Sequence, residues 1–110
     1  MKLELKDHTA IIKETKGTFF QFIENVCQQY NYYKEQNLIL DLSNFENLTI
    51  IDLKEAKNLS KKRKKEKKSL VFVIENINYN EIPEYLLVVP SVLEAHDIIE
   101  MEEIERDLGF

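Results

Sequence analysis

At 110 residues, 44% hydrophobic and 32% charged, the chain has the size of one compact domain with one core, and two glycines with two prolines leave little room for disorder. A net charge of −5 argues against a polyanion gripped over the whole surface, and no run approaches the roughly twenty apolar residues of a membrane span. The start MKLELKDH lacks the apolar block of a secretory signal, and a single cysteine, Cys27, cannot form an internal disulfide, so the expectation is one cytoplasmic domain over residues 1–110.

Leu3 and Leu5 alternate with Lys2, Glu4 and Lys6, which predicts a strand with one covered face. A turn at Asp7 and His8 returns the chain through Thr9 to Lys13, giving an opening hairpin. After Gly17, Thr18 and Gln21 have the spacing of a capping box, and Phe22, Ile23, Val26, Cys27, Tyr30 and Tyr33 recur on one helical stripe, predicting helix over about 18–35. LILDL from Leu38, LVFVI from Leu70 and YLLVV from Tyr85 are apolar with almost no alternation, as strands covered on both faces are.

Between the first two of those runs, Thr49 and Asp52 cap a helix whose Leu53, Ala56 and Leu59 face the core before a basic run begins. The asparagine-rich NINYNEIP, residues 76–83, has room for one short helical turn. Ser91 and Glu94 form another capping box after Pro90, and the last helix buries Val92, Ala95 and Ile99 and stops near Gly109. Phe110 is left to fold back on the core or to meet a partner. The predicted class is α/β: an antiparallel hairpin leading into a mixed, mostly parallel sheet of about five strands with helical crossovers.

That order and spacing, with ILDLS at residues 39–43 and TIID at residues 49–52 entering the next helix, resembles the STAS family, the sulfate transporter and anti-sigma factor antagonist domain, over nearly the whole chain. The resemblance implies a STAS-like fold and control by partner binding. Antagonist members carry a phosphorylated serine just after the aspartate; here Leu53, Lys54 and Glu55 follow Asp52, so no hydroxyl stands there. The C-terminal stretch VPSVLEAHDIIEMEEIERDLGF, residues 89–110, is similar to short bacterial proteins labelled ribonuclease Z or described as associated with that tRNA 3′-processing nuclease. Such a nuclease needs a dense His and Asp set around two zinc ions, and this chain has only His8 and His96, so neither activity nor a metal is expected.

Asp41, Ser43, Thr49 and Asp52 belong at the carboxyl end of a central strand, where open α/β sheets place ligands or partners; the same residue types also serve as turn and cap groups. Residues 61–68, KKRKKEKK, hold seven of the fifteen basic residues, and residues 94–107 hold seven acids with one arginine. Lys61, Lys62, Arg63, Lys64 and Lys65 are candidates for RNA or an acidic partner, with a solvated helix end as the simpler reading, since their charges encircle the helix axis. Glu102, Glu103 and Asp107 are candidates for a basic partner face, including the basic run of a second copy in a homo-oligomer. His96, Asp97 and Glu100 on one helical flank make a poor zinc cage. Cys27 and two of Tyr30, Tyr32 and Tyr33 read as core packing. No catalytic constellation and no cofactor motif is found, Gly17 and Gly109 being isolated. The expectation is a non-catalytic STAS-like interaction module with a protein partner; the alternatives are an RNA-linked accessory to tRNA processing and a nucleotide-responsive binding module.

Overall fold

Five strands lie side by side in chain order, β1 to β5, in a computed structural model that describes residues 1–14, 16–46 and 48–109. β1 (Lys2–Lys6) is antiparallel to β2 (Thr9–Lys13); β3 (Asn37–Asp41), β4 (Leu70–Val73) and β5 (Val88–Val89) follow in parallel. This is the α/β architecture expected from the sequence. Between β1 and β2 the backbone turns through the left-handed region at Asp7, which a short polar side chain tolerates.

Parallel crossovers are almost always right-handed, so crossovers that advance steadily across a sheet stack their helices on one face. Helices α1 (Phe19–Gln28), α2 (Tyr30–Tyr33), α3 (Ile50–Leu53) and α4 (Lys57–Lys65) accordingly share a core with Ala10, Ile12, Leu38, Leu40, Leu70 and Phe72. The opposite face, built from Ile11, Ile39, Val71, Val73 and Val89, is covered by Ala95 and Ile99 of α5 (Val92–Asp107). Alternate residues of β3 thus enter different cores, which is why that strand reads as an unbroken apolar run.

Four expectations need correction. β1 has no covered face: all five of its residues are exposed, Leu3 and Leu5 included, because no helix reaches over the outermost strand. The first helix is broken at Gln29, a residue outside helical geometry whose N–H is shared between the carbonyls of Asn25 and Cys27. The break allows both Tyr30 and Tyr33 to enter the core, while Tyr32 stays outside. Strand pairing near Tyr85 is confined to Val88–Val89, since a turn in which Leu86 N–H donates to the Pro83 carbonyl (3.0 Å) occupies the preceding residues. The helix after Thr49 is likewise interrupted, by a 3₁₀ turn at Lys54–Ala56 between α3 and α4.

The end signals behave more simply. Thr18 with Gln21 and Thr49 with Asp52 form reciprocal capping boxes. Gly17 is required before the first: its φ of +88° is left-handed, and an added Cβ would stand 2.6 Å from the capping Gln21 oxygen. Ser91 caps α5 through the Glu94 N–H, but the Glu94 carboxylate takes the Ser91 hydroxyl rather than its N–H, so that box closes on one side only. A 3₁₀ turn at Tyr79–Glu81 fills the asparagine-rich loop. Gly109 is left-handed at the end of α5; Phe110, expected to meet the core or a partner, lies outside the described residues. Among the described residues no helix is long and apolar enough to cross a membrane.

Candidate functional site

At the carboxyl end of β3, Asp41 accepts the Ser43 N–H (3.0 Å) on one oxygen and stands 3.8 Å from Lys13 Nζ with the other. Lys13 and Asp41 are direct register partners in the parallel β2–β3 ladder, so the pair forms as a consequence of strand alignment. The Thr49 hydroxyl accepts the Asp52 N–H (3.2 Å) and the Asp52 carboxylate accepts the Thr49 N–H (3.0 Å). Three of the four residues therefore use their side chains in a turn or a cap, and Ser43 is exposed. Between them the loop is held down by Phe45, whose ring meets Phe19 edge-on at 6.2 Å and Phe22 at 5.8 Å. Beyond the cap, Ile51 stands 75% exposed at the start of α3, beside the fully buried Leu53.

The basic run divides between interior and surface. Lys61, Lys62, Lys64 and Lys65 are exposed, but Arg63 is 0% exposed and is no contact for RNA or a partner. Its place follows from helical spacing: Leu59, Ala56 and Arg63 lie on the inward side of the same crossover. The guanidinium donates to the Lys34 carbonyl (3.2 Å), the Gln36 carbonyl and the Tyr30 hydroxyl (3.2 Å), tying down the chain where α2 ends and β3 begins. Tyr30 passes its own proton toward the Glu66 carboxylate. Burial, and then that bond to Glu66, push the Tyr30 phenol above its ordinary value, so it stays a donor. The Arg63 Nε–H meets no partner among the described residues. Lys62 lies with its ammonium 4.0 Å from the centre of the Tyr30 ring.

Helix α4 ends in a Schellman arrangement, with Lys68 N–H donating to the Arg63 carbonyl and Lys67 N–H to that of Lys64. The residue in the left-handed position is Lys67 (φ +59°), where glycine is the usual occupant. Lys67 and Lys68 separate two cavities at the amino ends of the parallel strands, of about 510 and 440 Å³. Lys61, Lys64, Tyr85, Glu102 and Glu105 line the first; His8, Glu35, Glu103 and Asp107 line the second. The charge blocks that are distant in sequence thus flank one end of one sheet. Among the described residues no lysine of the run comes within 4.0 Å of a carboxylate oxygen, so the blocks face each other without direct pairing.

A polar network floors this end of the sheet. The Asn37 side-chain oxygen accepts the Ser69 N–H (2.9 Å) and an Arg106 N–H (3.4 Å), and the Ser69 hydroxyl accepts from Arg106 (3.2 Å) and donates to Glu102 (2.5 Å). Glu102 therefore turns inward and does not share the proposed acidic face; Glu103 lies 3.6 Å from His8, and Asp107 is exposed. Neither Asn37 nor Ser69 lies in a motif that marks it in the sequence. The available signal was that each is a polar residue set immediately before a long apolar run.

Cys27 is exposed rather than packed in the core. Partial desolvation of its sulfur nevertheless raises the thiol above its ordinary value, against a smaller opposing pull from Lys62, which keeps thiolate scarce. His96, Asp97 and Glu100 do not converge: among the described residues no three His, Cys, Asp or Glu side chains come together as a metal-holding group. No family model matches the chain, and no curated protein matches it.

Proposed function

We propose that this chain is a non-catalytic protein-interaction module of the STAS-like kind, working at the carboxyl end of β3 without a phosphorylatable serine. The sheet order and opening hairpin are compatible with the STAS-like reading of ILDLS and TIID. The observation that carries the proposal is Ile51: a large apolar side chain, 75% exposed, at the start of α3, just before Asp52 and the positions at which the resemblance implies partner control. A lone exposed apolar residue is ordinary on a protein surface; what supports the reading is the place of Ile51, inside the Thr49–Asp52 capping box that holds its backbone fixed. A photo-crosslinking residue at position 51 is expected to yield one dominant protein adduct in host cells, and at the equally solvent-facing Tyr32 to yield none. Identical adducts from both positions would remove the proposal.

The exposed lysines support a second reading, an RNA-linked accessory of tRNA processing, because among the described residues no carboxylate pairs with them directly. Lys61→Gln, Lys62→Gln, Lys64→Gln and Lys65→Gln together are expected to abolish RNA retention at low salt. Taken singly, each substitution of a phosphate-binding lysine should flatten the slope of log affinity against log salt by about 0.7 to 0.9. Arg63 is left in place because its donors belong to the core. A native chain that retains no RNA in low salt ends this reading.

A further inference from the structure

Helix α5 carries a second apolar face. Its inward side is set by Ala95 and Ile99; on the opposite side Leu93, Met101, Ile104 and Leu108 are 73%, 61%, 53% and 67% exposed. At about 100° per residue these four fall within an arc of about 80°, directed away from the sheet. Met101, Ile104 and Leu108 keep the three-and-four alternation of a seam that packs against another helix, and Leu93 continues the same line one step beyond Asp97, an acid set within it. Isolated exposed apolar residues are ordinary on protein surfaces, but three on one side of a helix with a fourth at its C-cap are not scattered.

Charge restricts what can cover this seam. Glu94 and Glu105 border it on one side, Glu100 and Asp107 on the other. A second α5 would set these acids against their own kind. The α4 of a second copy brings lysines, but its Leu59 is buried in its own core, so it offers no apolar seam in return. The complementary occupant is a helix with apolar residues at seam spacing and Lys or Arg at the flanks. We infer that the outer face of α5 is a docking site for a basic amphipathic helix of a partner protein. The inference deepens the interaction-module proposal by adding a surface and a partner chemistry, on the sheet face opposite to α3.

The test uses the full chain and two synthetic helices of about 21 residues, roughly six turns. Both carry leucine at the two seam positions; one has lysine and the other glutamate at the flanking positions. The lysine helix is expected to bind, more weakly as salt rises, and to bind at least about tenfold more weakly to the Met101→Ser, Ile104→Ser double variant. The glutamate helix is expected not to bind. Equal binding of both helices, or unchanged binding to the double variant, would overturn the inference. So would a native chain that sediments as a dimer dissociated by the same substitutions, since a second copy would then be the occupant. Should the double variant fail to fold, Leu93→Ser at the other end of the seam provides the same comparison. The two proposals fail separately: adducts from position 51 with no helix binding would retain the interaction module and remove the α5 site.

Discussion

Arg63→Ala is expected to remove about 3 to 5 kcal/mol of folding stability, the range of a large buried side chain cut to alanine with its hydrogen-bond acceptors left unpaired. That is a large fraction of the roughly 5 to 15 kcal/mol available to a domain of this size. The loss has two sources. The carbonyls of Lys34 and Gln36 lose their donor at the end of α2, and a side chain with 0% exposure leaves a cavity under α4. Arg63→Met refills much of the volume but donates nothing, so it should lose about 1 to 3 kcal/mol. Arg63→Lys should not restore the native value, because an ammonium is a compact point of charge and cannot fork to two carbonyls and the Tyr30 hydroxyl. Urea denaturation at unchanged slope measures all three. An alanine variant within about 0.5 kcal/mol of the native chain would mean that the guanidinium is not an interior group.

Phe22→Ala is expected to cost about 3 to 5 kcal/mol as well, by a different route. The ring is fully buried on the helical face of the sheet and is one of two on which Phe45 rests. Removing it opens a cavity and also frees the loop between β3 and α3. Amide exchange at Leu42–Glu46 should therefore quicken by more than the global change accounts for, because local opening no longer separates Phe45 from the Phe22 ring. Ile51 would then sit on a looser base, and its crosslinking yield should fall together with loop protection. A drop in stability without any change in loop exchange would show that Phe19 alone holds the loop.

The parts of the fold that were legible in the sequence are those where one local rule acts alone. Unbroken apolar runs located β3 and β4, and Thr18, Gln21, Thr49 and Asp52 located two helix starts, because capping depends on residues three apart. What was not legible depended on neighbours in space. The alternation of Leu3 and Leu5 promises a covered face, but whether anything covers β1 is decided by how far the helices extend across the sheet. Arg63 reads like its lysine neighbours because composition treats five adjacent cations alike; its burial requires the carbonyls of Lys34 and Gln36, some thirty residues earlier. Glu102 reads like Glu103 and Asp107 for the same reason, although successive helix positions point in different directions. The apolar seam of α5 was hidden in a sequence rich in acids, since two opposed apolar faces leave no single stripe for periodicity to reveal.

Chain-order assembly of the sheet has a consequence during synthesis. Each strand from β2 onward can join the edge left by its predecessor as it emerges, bringing its crossover helix onto the same side, so the first core can form progressively. The other side gains nothing until the end: Ile11, Ile39, Val71, Val73 and Val89 wait for α5 alone. A nascent or truncated chain ending before Val92 therefore presents half of a finished sheet to water, a surface suited to chaperone capture or to aggregation. In this protein α5 acts as a seal, and its arrival separates a sticky intermediate from a native domain.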